Sequence, residues 1–521
     1  MGETASAGNR PIILAATLLA TFLTAMEATV VSTAMPTIIG ELHGLDLYAW
    51  VFSAYLLTST ATVPLYGRLA DMVGRKPVFL VGIGIFLAGS ALSGLSHSMP
   101  QLIVFRAIQG LGAGAVQPII FTIVGDLFTL RERARVQGFF SAIWGTSSVA
   151  GPVVGALITQ TIGWRWIFYI NVPFGIFAAV LLWLTLHERR VERRHALDYA
   201  GAAALTAGVS TLLWGLLSGG QNGTVNPVAL GAGVALLVIF VGIELRVKEP
   251  VLPLGLFRDP FIAVPCLAGL LTGCVQFGMS SYVPLFIQGV QLGSAGDAAK
   301  VLAPVSVGWS VAGFISPRFL IRFGFRPVAI VGTALITGGV AVLLTYRLQT
   351  PVQFMVVNLL CVGFGMGFSS NSFLLGAQNA VGWERRGVVT ASVQFSRTMG
   401  GTLGVALLGA VLNARLAITL RAAGTADANA ILNPAVRGTL PPAALRTVQQ
   451  GLAAGLHQTY LLLLVAAVGG FAAAFFFPTR ARADSDKAGQ PRAAERGETV
   501  VAGRAAGKVT GAPVQGSSGS G

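Results

Sequence analysis

Glu27 stands inside the apolar run TAMEATVVSTAMPTI (24–38), where a carboxyl that gains and loses a proton could couple one movement to another. A charge at the centre of a bilayer costs roughly 2.5–3.5 kcal/mol on insertion scales, so it needs a partner or a task. Arg106 opens a second such stretch, RAIQGLGAGA (106–115). A guanidinium stays cationic at any working pH, so its charge must be offset there. Gln109 can share a hydrogen-bond network with it, three residues along the same helix face. A plainer account makes Glu27 a structural acid held by an Arg or a hydroxyl, and Arg106 a structural cation on backbone carbonyls. The glycines of GLGAG could suggest a phosphate loop. No strand precedes them and the expected acid is missing, so close helix contact is the better account. The five histidines lie in or beside loops, and Cys266, Cys274 and Cys361 fall within apolar runs. No metal set, disulfide framework or Ser–His–Asp arrangement emerges. The sequence therefore predicts no enzyme, no metal and no cofactor.

Long apolar helices must position these residues. Of 521 residues, 54% are hydrophobic and 11% charged, with a mean hydropathy of +0.73. Soluble domains carry about 25% charged residues. A membrane span needs roughly 20 apolar residues, and fourteen such runs follow one another between residues 11 and 477. Lipid admits only helices or closed barrels, and period-2 alternation is absent. The expected fold is an all-α polytopic membrane protein with fourteen transmembrane helices. The net charge of +15 could point to nucleic acid, but its placement argues otherwise. With the N-terminus in the cytoplasm, Lys and Arg crowd the cytoplasmic loops and thin out in the short outside ones. No nucleic-acid partner is expected, and anionic membrane lipids are. Both termini are predicted to be cytoplasmic, in the cell membrane.

The chain echoes itself. GRLADMVGRK at 67–76 returns as PRFLIRFGFR at 317–326, pairing Arg68 with Arg318 and Gly74 with Gly324. Asp71 meets Ile321, so the acid does not repeat. GLGAG at 110–114 returns as GFGMG at 363–367, and ERARVQGFF at 132–140 as ERRGVVTAS at 384–392. The expected layout is a lead at 1–10, a six-helix bundle at 11–186 and a linker with two inserted helices at 187–260. A second, parallel six-helix bundle follows at 261–477, with a long outside loop at 415–456 and a disordered cytoplasmic tail at 478–521.

The loop at 67–76 resembles the signature of the major facilitator superfamily. GTSSVAGPVVGA (145–156), WRWIFYINVPFG (164–175) and AQNAVGWERRGVVTASVQFSRTMGGTLGVALLG (377–409) resemble its fourteen-helix drug:proton antiporters. Glu27 replaces the usual Asp, and Ser147 and Ala156 replace glycines. The resemblance implies an exporter, acting as a monomer, that exchanges protons for lipophilic, often cationic, small molecules by alternating access. It implies proton coupling at Glu27 with Arg106 and Gln109. It implies a conformational latch at Gly67, Arg68, Asp71, Gly74 and Arg75, with Asp71 capping the helix that starts near Gly387. It implies a kinked packing helix at Gly151, Pro152 and Gly155, and a second-half polar site at Gln378 and Arg397. Competing readings are a lipid or glycolipid exporter, a nutrient symporter and a membrane sensor.

Overall fold

The computed structural model describes residues 9–128, 130–188, 198–218, 224–247, 250, 252, 254–381, 386–423 and 441–479. Regular structure among them is helical. The helices are α1 (Arg10–Leu42), α2 (Tyr48–Val73), α3 (Arg75–Gly94), α4 (Met99–Leu127) and α5 (Leu130–Thr161). Next come α6 (Trp166–Tyr169), α7 (Asn171–Thr185), α8 (Tyr199–Leu217) and α9 (Pro227–Glu244). The series ends with α10 (Pro260–Leu285), α11 (Ala295–Phe323), α12 (Phe325–Leu343), α13 (Val352–Asn379), α14 (Arg386–Ala423) and α15 (Pro442–Phe475). Twelve stretches are long and apolar enough to cross a membrane, α6 and α7 counting as one. The two remaining long helices, α2 and α5, have the length but are more polar. One carries Ser53, Thr58, Ser59, Thr60 and Thr62, and the other opens on RERAR.

Local chemistry sets the helix ends. Asn226 accepts hydrogen bonds from the Val228 and Ala229 amides ahead of α9, and Ser294 and Asp297 form a reciprocal capping box on α11. Gly74 and Gly324 break α2 from α3 and α11 from α12 with φ of +104° and +84°. A side chain is strained there, which is why the sequence echo holds glycine at both. One expectation changes. The connection expected at 415–456 is largely helical at both ends, because α14 continues to Ala423 and α15 begins at Pro442. The residues LAITLRAA are mostly good helix formers, and Pro442 suits a helix start. The tail beyond 479 and the lead before 9 lie outside the described residues.

The halves pack alike. In the first, α1 packs on α5 and α7, and α4 on α2 and α3; in the second, α10 packs on α14 and α15, and α13 on α11 and α12. Glycines make the α4 contacts possible. A Cβ on Gly110 would lie 2.4 Å from the Tyr55 carbonyl oxygen, and one on Gly112 would lie 2.2 Å from the Phe86 nitrogen. At the echoed positions, a Cβ on Gly363 would lie 2.1 Å from the Val305 oxygen and one on Gly365 2.6 Å from the Gly332 oxygen. Between halves, α5 meets α11 and α2 meets α14, while α8 and α9 pair with each other and α8 lies against α2 and α14. At the end of the molecule that holds Gly44, one apolar core draws on both halves, including Ile38, Tyr48, Phe286 and Tyr460. Gln288 donates to the Thr33 carbonyl at 3.1 Å and Asn413 to the Asp46 carbonyl at 2.8 Å across that junction. Toward the Gly74 end the cores are separate, one around Phe79 and Ile120 in the first half and another around Phe261 and Phe477 in the second.

Candidate functional site

Glu27 lies near the middle of α1, and five helices of the first half converge on it. Arg106 of α4 donates to Glu27 Oε1 in a direct ion pair. Asn171, the first residue of α7, donates to Glu27 Oε2 at 2.6 Å and to Ser90 Oγ of α3 at 3.0 Å. Ser90 in turn donates to the Phe168 carbonyl at 2.8 Å. Arg106 also donates to Gln109 Oε1 at 2.6 Å, and its guanidinium lies 4.3 Å from the centroid of the Tyr55 ring on α2. Glu27 is 1% exposed and Arg106 2%. The pair is therefore shut away from the protein surface. Arg106 Nε and Gln109 Nε2 are buried without hydrogen-bond partners, which leaves spare donors beside the pair.

Helix α5 is seated on this group through the small residues read from the sequence. A Cβ on Gly151 would meet Thr29 Oγ1 at 1.9 Å, and one on Gly155 would meet the Val30 carbonyl at 2.9 Å. Both sites lie on the turns of α1 that follow Glu27. Pro152 sits inside α5, where it removes one ladder hydrogen bond. Ser147, one turn earlier, is buried with its hydroxyl unpartnered.

The signature loop is organised by a residue the sequence reading passed over. Glu188, just after α7, accepts from the Arg75 amide at 3.0 Å and the Lys76 amide at 3.1 Å, and pairs with the Arg75 guanidinium at 3.5 Å. A carboxylate on the first amides of α3 is a favourable cap. A Cβ on Gly74 would lie 2.8 Å from Glu188 Oε2, a second reason for glycine there. Gly67 is half-buried with open space around it. The side chains of Arg68 and Asp71 lie outside the described residues, and Gly387 falls in the first turn of α14. In the second half, Gln378 donates to Thr390 Oγ1 at 2.8 Å, tying α13 to the start of α14. Arg397 lies seven residues beyond Thr390, roughly 10 Å of helix rise, so the structure gives these two polar residues different neighbours. Asn171 and Ser90 were also passed over. Their signal was faint: small polar residues in otherwise apolar runs.

The model for the Major Facilitator Superfamily matches residues 17–405. The chain belongs to this superfamily. It is thus an integral membrane protein and a non-enzymatic transporter of small molecules. Over 419 residues it is 36% identical to Multidrug transporter protein MdtP of Bacillus subtilis (strain 168), covering 80% of this chain and 77% of that protein. Multidrug resistance protein 3 of the same organism is 32% identical over 480 residues, covering 89% and 94%. A solved bacterial homologue of the human lysosomal transporter Spinster shares the superfamily fold, with a TM-score of 0.65 at 18% identity, over 91% of this chain and 98% of that one.

Proposed function

We propose that this protein is a proton-coupled exporter of lipophilic small molecules, with Glu27 as the residue at which proton and substrate compete. The observation that carries the reading is the buried Glu27–Arg106 ion pair, held by Asn171 and Gln109. A buried ion pair is a poor device for stability, since apolar residues of similar size often serve as well or better. Removing one charge from such a pair costs about 3–5 kcal/mol. Protonating Glu27 therefore favours any arrangement of helices that rehydrates Arg106. That links the proton to alternating access without further parts. The multidrug relatives support export as the direction and small molecules as the cargo. In this reading both termini are cytoplasmic and the Gly74 end opens inward. The 67–76 loop, with Gly67, Arg68, Asp71, Gly74 and Arg75, latches that end when it closes, so Asp71→Asn loosens the outward-facing state.

The test is transport in proteoliposomes under an imposed pH difference, together with proton release on substrate binding in detergent. Glu27→Gln should abolish both. A Gln variant that still concentrates substrate against a gradient removes Glu27 from the coupling role. One-for-one exchange of a proton with a monovalent cation moves no net charge, so voltage should not drive it. A neutral substrate would restore a voltage dependence of about 2.3 kcal/mol per charge per 100 mV.

A further inference from the structure

Among the described residues, charged side chains deep within their helices include Glu27, Arg106 and Arg397. The first two cancel. Arg397 does not. It sits roughly 16 Å of helix rise from the start of α14 at Arg386. Its guanidinium lies over the Trp309 ring of α11, 5.6 Å from the centroid. Its Nε is buried without a hydrogen-bond partner. Among the described residues, no carboxylate pairs with it, yet the residue keeps partial access to solvent.

A second unpartnered group lies on the adjoining helix α10. Gly273 brings α10 so close that a Cβ there would stand 2.0 Å from the Arg397 carbonyl oxygen. Gln276 follows Gly273 by three residues, on the neighbouring part of the same helix surface. Its amide oxygen is also buried without a partner. Amide oxygen and nitrogen exchange places by a flip, so Gln276 can present a donor or an acceptor.

A cation held among apolar helices with no carboxylate partner is costly, and a guanidinium fork fits carboxylate or phosphate oxygens in two parallel hydrogen bonds. Trp309 adds a flat apolar face beside it. We propose that Arg397, Gln276 and Trp309 form an oxyanion subsite in the second half, which takes the acidic group of an amphiphilic substrate. The inference rests on the transporter reading and names the substrate's charge class: acidic or zwitterionic amphiphiles rather than simple lipophilic cations.

The test is a binding titration of the full chain in phosphatidylcholine nanodiscs, using a dansyl-amino fatty acid and its methyl ester, with no pH gradient. The acid should bind about tenfold or more tightly than the ester, one decade or more in Kd. R397Q should bring the acid to the ester's affinity and leave the ester unchanged. R397K, which keeps the charge but loses the fork, should retain part of the preference. Q276L should reduce it a few-fold, and these two variants carry the test if R397Q does not fold. Equal affinities in the parent protein, or a preference that survives R397Q, would overturn the subsite. Repeating the titration with phosphatidylglycerol in the discs separates the two sources of oxyanion. An acid affinity that drops only while Arg397 is present gives the site to a lipid headgroup and overturns the substrate assignment. The titration carries no pH gradient and reads binding alone, so a failure of proton coupling leaves its outcome unchanged and the two failures are told apart.

Discussion

A protein that buries Glu27 against Arg106 makes each residue dependent on the other for stability. Arg106→Leu strands a buried carboxylate, and we expect it to lower stability by about 3–5 kcal/mol. The double variant Glu27→Gln with Arg106→Leu should recover much of that loss. A thermal-unfolding cycle in detergent measures the coupling, and additive losses would show that the two side chains act separately. Asn171→Leu should weaken the same centre by about 1–3 kcal/mol by leaving Glu27 Oε2 without its donor. At this scale the sequence was half legible. Glu27 and Arg106 are charges in apolar runs, so their meeting could be anticipated from the cost of burying each alone. Asn171 could not be anticipated, because an Asn at the start of a helix reads as a cap. Glu188 was equally hidden, as one acid in the linker HERRVERRHALD.

Helix contacts in this molecule are set by glycine, and the consequence differs from one glycine to the next. A Cβ on Gly112 meets both the Phe86 amide and the Gly82 carbonyl within 2.5 Å, whereas one on Gly84 meets nothing within 4 Å. Gly112→Val should therefore destabilise by about 1–3 kcal/mol or more through overpacking, while Gly84→Ala should be neutral or mildly stabilising. Thermal unfolding of the two variants side by side checks this, and equal effects would remove the packing argument. The α3 cap makes a smaller claim. Glu188→Ala should cost about 1 kcal/mol and speed hydrogen exchange at the Arg75 and Lys76 amides. The spacing of GLGAG and GFGMG made the glycine contacts legible, because small residues along a span signal helices in touch. The extension of α14 to Ala423 was not legible, since a helix that continues past the lipid loses its apolar pattern while keeping its hydrogen-bond ladder.

As a whole, the molecule is two like bundles joined by a hairpin, and its ends differ. At the Gly44 end, burial holds the Asp46 carboxyl above its ordinary value of 3.8. A raised acid favours the packed state when neutral, so packing there should gain as pH falls through that raised value and be lost as pH rises through it. Spin-label distances across the Gly44 end should show this acid dependence in the parent protein and not in Asp46→Asn. Topology has its own check: single cysteines at Asn222 and Ser485 should be labelled from opposite faces of the membrane, the first from outside. The repeat made the two bundles legible, but nothing in the sequence told where the inserted helices would lie. They lie with α8 against α2 and α14, the pair that forms one of the two seams between bundles. Helix α8 therefore screens that seam. The other seam, between α5 and α11, has no such cover among the described residues. From the lipid side the two junctions between the bundles therefore present different faces, one screened by α8 and one formed by the bundles themselves.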